Sequence, residues 1–533
     1  MPATGGLASG GTGATTGTGG ASGSGGLATN SLLSARIRRL ASAEYDASVQ
    51  ALLETSQSPA SGPDFPPDLR QDGFTVDDTQ RVDAVIIERL ADAADALATE
   101  AQANGVLSRL APCSAGDDPT SCANAFITTF GAKVYRRPLA AAEVSALDTL
   151  YAIGADGAAY LDGVAHVTRG LLQSAGFLYL TELGDEGAGL GPVNLTPHEI
   201  ASALSYLLTS APPDDDLLAK ATAGLLSDPA EREAEARRLL ETDPLAQATV
   251  VRLVREWLGI DRIDETAKDS LVYPRFAGNK AKIVAESLDF VRAVAFESSG
   301  NVSELFGANW TVSSGPLDLY QTAGAGPIPG STLLTDRVGI LNQAAFLARN
   351  ANAQESHPIF RGVALARRVA CLGLDSPASF DITVVPPAPD PTLTTRERFS
   401  LHPADSICAG CHDTIDPFGF SFEHFDGMGA YRAEENGRAV DSSVVVSVGA
   451  DYDGAYADSN ALATALAKST PVRECLARYL FRAAAATGDS AATPGEAEFM
   501  DFWRAIPAAA QGNIVETLLA YVKSPTFTVR NAL

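Results

Sequence analysis

Three features of the 533-residue sequence predict a mainly α chain, a multi-domain assembly of helical bundles with few short strands. Apolar residues recur at helical spacing from about residue 34 onward, helix start and stop signals punctuate that pattern, and only one short β-branched run competes with it. The chain is too long for a single core and divides into several compact units. Apolar residues at 46% with 20% charged are ordinary for globular protein, so most of the length is expected to fold.

Residues 1–33 form a Gly/Ser/Thr-rich spacer with almost nothing to bury, and disorder is expected there. Helical periodicity begins near Ser34. It places Ile37, Leu40, Val49, Leu52 and Leu53 on one face and leaves Arg36, Arg38 and Arg39 to solvent. A Pro/Gly/Ser stretch from Ser56 to Pro67 ends this helix, and an amphipathic run from Val82 to Leu97 completes a first module over 34–101. The second module, 102–180, contains helices over Ala123–Tyr135, Glu143–Tyr151 and Asp162–Leu172, the first stopping before Pro138.

In a central module over 190–322, Thr196-Pro-His-Glu199 is a full helix start, with Thr as N-cap, Pro in the first turn and Glu closing a capping box. His198 sits in that first turn and reads as an exposed residue rather than a ligand. Helices follow over Ile200–Leu208, Pro229–Thr242, Leu245–Leu258 and Lys280–Glu297. The fourth module, 334–434, contains a proline-rich extended connector over 375–395. Ser442–Val448 is the strand candidate, and helices return in a last module over 459–531. No fixed-period repeat points to a solenoid.

Net charge is −26, from 65 acidic against 39 basic residues, which repels phosphate backbones and excludes nucleic acid as a partner. No run of 18 apolar residues is present to span a bilayer, and Met1-Pro-Ala-Thr leads into Gly, Ser and Thr without the basic and apolar segments of a signal peptide. Signatures of serine hydrolases, zinc proteases and phosphate loops are absent.

The chemistry concentrates in Cys408-Ala-Gly-Cys411-His412. Two cysteines three apart on a helical turn can form thioethers to the two vinyl groups of one haem, and the adjacent histidine then presents its imidazole to the iron. A zinc site would need further ligands, and Cys371 and Cys475 are far away in sequence; a redox dithiol is the other alternative. Haem c held by Cys408, Cys411 and His412 is the favoured reading, and it makes the fourth unit a small haem module.

Bacteria attach haem to this motif outside the cytoplasm, and an even number of remaining cysteines suits an oxidising compartment. The expected location is therefore extracytoplasmic, the periplasm or cell surface, with a signal upstream of Met1 and the spacer serving lipid or cell-envelope anchoring. Cys113 and Cys122 flank a polar loop that a disulfide can close. Cys371 and Cys475 are then left either for each other or as buried free thiols.

With these segments placed, the chain resembles a bacterial multi-module family built around the domain of unknown function 1592, with associated modules 1587, 1595, 1588 and 1585. The resemblance covers roughly residues 36–531. It rests on Arg38-Arg39-Leu40 with Tyr45, Phe65-Pro66-Pro67-Asp68 and Asp72-Gly73-Phe74, then on Tyr135-Arg136-Arg137-Pro138-Leu139, Leu172-Gln173-Ser174 and Phe177-Leu178-Tyr179. Leu204-Ser205-Tyr206-Leu207-Leu208, Asp215-Asp216-Leu217-Leu218 and Trp257-Leu258-Gly259 resemble the central module. The haem module matches at Arg361-Gly362, Cys371, His402, Cys408 to His412, Asp416-Pro417-Phe418-Gly419-Phe420, Glu423, Phe425-Asp426 and Tyr431-Arg432. The last module matches at Cys475-Leu476, Leu480-Phe481, Ser524-Pro525 and Phe527, and departs from the pattern at Ala483 and at Gly488-Asp489. The resemblance implies haem binding and export, without a specific reaction.

His412 is the proximal iron ligand by covalent geometry. For the sixth position the order is His402, Met428, an open site, then His424. Asp416, Glu423 and Asp426 lie close to the motif in sequence and read as helix caps and acceptors of backbone hydrogen bonds, with acid or base work as the alternative. Two good ligands near the motif favour single-electron transfer with an extracytoplasmic redox partner protein. The alternatives are an extracytoplasmic haem-dependent oxidoreductase and a cell-surface scaffold with structural haem.

Overall fold

The computed structural model describes residues 32–185, 191–374, 387–388, 390–400, 406–487 and 495–531. Most of the spacer, most of the proline-rich connector, His402 and Gly488-Asp489 lie outside the described residues. Helices dominate, as expected, and strands are short and paired in small sheets.

The N-terminal lobe runs β1 (Arg36–Arg39), α1 (Ser42–Leu53), α2 (Ala84–Ala103), α3 (Val106–Leu110), α4 (Pro119–Tyr135), α5 (Ala141–Ala155), α6 (Tyr160–Gln173), α7 (Ala175–Leu178) and β2 (Tyr179–Glu182). One apolar core from Tyr45 to Leu178 holds it together. The C-terminal lobe opens with β3 (Pro192–Asn194) and α8 (Pro197–Thr209), followed by α9 (Asp215–Thr222), α10 (Pro229–Thr242), α11 (Pro244–Leu258), α12 (Phe276–Arg292) and α13 (Val302–Gly307). After the three-stranded sheet β4 (Trp310–Val312), β5 (Thr322–Ala325) and β6 (Ser331–Leu334) come α14 (Ala344–Arg349), α15 (Pro358–Ala364), α16 (Thr395–Phe399) and α17 (Ser406–Phe420). The hairpins β7 (Glu434–Glu435) with β8 (Arg438–Ala439) and β9 (Val444–Val446) with β10 (Gly454–Tyr456) lead to α18 (Ser459–Leu466), α19 (Thr470–Ala485), α20 (Gly495–Ala505), α21 (Ile514–Lys523), α22 (Pro525–Thr528) and β11 (Val529–Asn531). A second core unites this lobe, from Leu195 through Phe527.

Local signals explain most helix ends. Thr196 Oγ1 accepts from Glu199 N at 3.2 Å while Glu199 Oε2 accepts from Thr196 N at 2.9 Å, the expected capping box of α8. Asp83, Asp118 and Asp458 cap α2, α4 and α18 in the same way through a side-chain oxygen. Both disulfides form, Cys113–Cys122 and Cys371–Cys475. The strand expected over Ser442–Val448 is present as β9.

One expectation fails at the start. Residues 36–39 are a strand, not the first turn of a helix, and α1 begins only at Ser42. β1 pairs antiparallel with β2, Arg36 opposite Glu182 and Arg39 opposite Tyr179, so the partner lies more than 140 residues away. Leu40, Val49, Leu52 and Leu53 are buried as expected, but within the strand Ile37 is 55% exposed, whereas Arg38 and Arg39 are buried. Arg38 is held by two hydrogen bonds to Glu44, at 2.6 and 2.7 Å, and Arg39 by Asp68. Buried carboxylates thus override the apolar pattern.

The chain's two ends meet on Glu182. Arg36 reaches it at 2.9 Å and Arg530 at 2.7 Å. β11 pairs with β3, and Ser34 bridges to Asn531. Burial alone would raise the Glu182 carboxyl, but the two guanidinium groups outweigh it and hold the carboxyl well below the usual range. A small cluster of Leu40, Leu180 and Tyr206 fills the space between the lobes.

Glu182→Gln is expected to destabilise the protein by about 3 kcal/mol at pH 7, because two buried cations lose their counter-charge. With its folded pKa depressed below the unfolded value near 4.3, Glu182 stabilises fully above that value and ceases to do so as pH falls through the folded one. Urea unfolding at pH 7 and at successive acid values should therefore show a shallower acid loss in the variant than in the parent. Cys371→Ser with Cys475→Ser removes a link that closes a 104-residue separation, and the same assay should show a loss of about 2–5 kcal/mol.

Candidate functional site

The motif lies on α17, and α15 packs along it. A Cβ at Gly362 would run into the backbone oxygen of Ile415, and one at Gly419 into that of Pro358, so two glycines let the helices touch backbone to backbone. Arg361, fully buried on α15, donates to the carbonyls of Phe425 at 2.7 Å, Asp426 at 2.6 Å, Phe422 at 3.2 Å and Leu347 at 3.3 Å. One guanidinium therefore fixes the segment that follows the motif helix. Pro417 lies within α17, so Asp416, read from the sequence as a helix cap or an acceptor of backbone hydrogen bonds, stands inside the helix. Packing against α15 supports it where local preference would not.

Cys411 is a free, partly exposed thiol, and His412 follows it on the same helix. Of Cys408 the structure describes the helical backbone alone. His412 Nδ1 donates to Asp416 Oδ1 at 2.8 Å, one helical turn on. That bond fixes the ring and the tautomer, and a carboxylate partner makes the other ring nitrogen a stronger ligand. Asp416 is thus a positioning residue for the histidine.

The neighbouring groups have structural partners. Glu423 is buried, which raises its pKa against the pull of Arg432, whose guanidinium lies 2.9 Å away. Asp426 Oδ1 accepts from the amides of Met428 and Ala430, both at 2.9 Å, closing the turn that returns the chain to Tyr431. His424 Nδ1 donates to the Arg432 carbonyl at 3.0 Å and its ring stacks on Tyr431. Met428 is buried in the large C-terminal core.

Sequence reasoning passed over His357. It caps α15, its Nδ1 accepting from Phe360 N at 3.2 Å, and its ring stacks on Phe360 at 3.7 Å with Phe399 edge-on at 5.3 Å. Burial, then Arg361 and Arg398, push its pKa down to about 4, so it stays neutral at pH 7. The signal was Pro358, whose place at a helix start makes the preceding residue the N-cap. Elsewhere, Cys113, Asp117 and Cys122 come within metal-ligand distances of one another, but the two sulfurs are joined as a disulfide.

Four family models match along the chain, each described as a protein of unknown function: DUF1587 over residues 38–103, DUF1595 over 122–182, DUF1592 over 195–320 and DUF1588 over 337–435. The chain belongs to this multi-module family. No curated protein and no solved structure matches significantly. The DUF1588 module holds α15, the described part of α17 and the Arg361 anchor, and the DUF1587 and DUF1595 modules together make the N-terminal lobe. The DUF1592 module joins DUF1588 through reciprocal contacts: Trp257 Nε1 donates to the Arg368 carbonyl at 2.6 Å, and Arg368 donates to the carbonyls of Glu256 and Trp257 at 2.9 and 2.7 Å. Among the described residues, no helix is long and apolar enough to cross a membrane.

Arg361→Lys is expected to cost about 3 kcal/mol, since one ammonium cannot span four separated carbonyls and leaves buried acceptors without donors. Chemical denaturation reads the loss. Near-ultraviolet circular dichroism should change with it, because Phe422 and Phe425 carry two of those carbonyls.

Proposed function

We propose that this protein is an exported c-type haem protein that passes single electrons to or from an extracytoplasmic partner. The observation that carries the reading is the arrangement on α17, where a free Cys411 thiol and His412 are adjacent and the imidazole is oriented by Asp416. These donors fit haem c: Cys408 and Cys411 would carry the thioethers, and His412 would ligate through Nε2, since Nδ1 is given to Asp416. When bound, the haem iron would supply one-electron oxidation and reduction. The chain's own part is to hold the ligand: the α15–α17 contact fixes the helix, and Asp416 keeps the imidazole turned.

His402 and Met428 are the proposed sixth ligands. A filled sixth position suits outer-sphere electron exchange and excludes substrate from the iron. Both remaining cysteine pairs being disulfides supports an oxidising compartment.

Expression with an export signal, in cells that mature c-type cytochromes, should give protein whose haem survives acid-acetone extraction and whose mass exceeds that of the apo chain by one haem. Complete extraction, or retention in a Cys408→Ala/Cys411→Ala variant, refutes covalent attachment. The oxidised parent should give a low-spin electron paramagnetic resonance signal that turns high-spin in His402→Ala or in Met428→Ala, naming the ligand. A high-spin parent that binds cyanide rapidly would overturn electron transfer in favour of a haem enzyme.

A further inference from the structure

One carboxyl group is shut inside the C-terminal lobe without a counter-charge. Glu286 on α12 is fully buried, and among the described residues its hydrogen-bond donors are two hydroxyls, Thr311 Oγ1 to Oε1 at 2.5 Å and Tyr320 to Oε2 at 2.6 Å. A Cβ at Gly315 would stand 3.0 Å from Oε1, so backbone closes a further side.

The charges around it are spent elsewhere. Among the described residues Arg337 is the one charge that acts on Glu286, and its guanidinium is given to Asp336 and to the carbonyls of Asn342 and Gly429. Lys282 and Asp289, one turn to either side on α12, pair with Asp318 and Arg292 nearer the surface. Burial and Glu286 itself keep the Tyr320 hydroxyl protonated. A buried carboxyl in such a place is costly to ionise. Burial accordingly pushes Glu286 up to about 7 against the pull of the two hydroxyls and Arg337.

Both hydroxyls are gripped from the next module. Ala344 N donates to the Tyr320 hydroxyl at 2.9 Å and Gln343 Nε2 to Thr311 Oγ1 at 3.2 Å, while Gln343 Oε1 is buried without a donor. Glu286, Thr311 and Tyr320 belong to the DUF1592 module, Gln343 and Ala344 to DUF1588, so the chain of hydrogen bonds crosses their joint.

The Ala344 amide fixes the direction of the Tyr320 hydrogen, which must point at Oε2. A proton taken up from solvent therefore goes to Oε1 and is donated to Thr311 Oγ1. Thr311 then gives its own hydrogen to Gln343 Oε1, which an amide turned over brings into reach. One end of the Gln343 amide lacks a partner in either order, so neither order wins on hydrogen-bond count. We propose that Glu286 is a proton-binding site whose occupancy sets the direction of this hydrogen-bond chain, and with it how firmly the DUF1592 and DUF1588 modules hold together. The inference is independent of haem, because none of these residues touches Cys408, Cys411 or His412.

An unfolded glutamate titrates near 4.3, so the native chain keeps this proton to higher pH. Its stabilising effect is complete below that value and is lost as pH rises through about 7. Difference infrared spectra of the full chain between pH 5 and pH 8 are expected to show the loss of one protonated-carboxyl stretch, absent in Glu286→Gln. In Thr311→Val the loss should move to higher pH, because the ionised form has lost a donor; this arm and the parent spectrum stand even where Glu286→Gln fails to fold. In urea, the unfolding constant of the parent relative to Glu286→Gln should rise about tenfold or more from pH 5 to pH 8. Hydrogen exchange of the Ala344 amide at pH 8 should be faster in the parent than in Glu286→Gln, which reports the joint itself. No carboxyl stretch lost in that interval, the same stretch persisting in Glu286→Gln, an equal pH dependence of unfolding, or equal exchange at Ala344 would overturn the proposal.

Discussion

A single carboxylate ties the two lobes together. Glu182 lies on the last strand of the N-terminal lobe, and its two cations come from opposite ends of the chain, Arg36 and Arg530. Such a buried arrangement gains little net stability over apolar packing, because removing three charges from water costs several kcal/mol per ion. Its effect is specificity. Only one pairing of β1 with β2 and of β11 with β3 brings all three side chains together, and a slip of one residue would turn Ile37 inward and Arg38 outward and strand a charge.

From that junction the rest of the architecture follows outward. The N-terminal lobe has its own core, with only Leu33 and Phe74 packed into the other, whereas the C-terminal lobe shares one core among the central, motif and last modules. Motif placement is accordingly a property of the whole C-terminal lobe: Arg368 is seated on the end of α11, Cys371 is bonded to α19, and α15 leads directly into the contact with α17. Two glycines and one buried arginine then define the motif helix and the turn after it. The proposed redox site would gain from such rigidity, because little reorganisation would accompany a change of charge with the His412–Asp416 hydrogen bond already made.

The parts that sequence made legible are those whose signals are local. Thr196 and Glu199 announce the start of α8 through a reciprocal pair of hydrogen bonds three residues apart, and Pro138 and Gly259 mark where α4 and α11 stop. The Cys113–Cys122 disulfide was legible because only a short polar loop separates its ends. Cys408, Cys411 and His412 stand out in the sequence because the proposed covalent haem attachment would demand a fixed spacing along the chain. The segment after Ser34 was misread for the opposite reason. Its apolar residues are spaced as on a helix, but Arg38 is buried against Glu44 on α1 and Arg39 against Asp68 farther on, and the partner strand is near residue 180.

By itself the sequence determined the helical class, the ends of most helices, the Cys113–Cys122 disulfide and the Cys408–His412 motif, all of which depend on neighbours within a turn or a loop, and left Cys371–Cys475 as one of two readings. Only the tertiary structure decided which residues support that motif and what surrounds Glu286. Asp416 was visible as a carboxylate but not as the partner of His412, and His357 was signalled only as an N-cap by Pro358, because the rest of its surroundings, Phe360, Phe399 and two arginines, are gathered by packing. The surroundings of Glu286 required α12, β4, Tyr320 and Gln343 to converge from four separate stretches of chain. Contacts of that range are set by how cores close, and no local pattern encodes them.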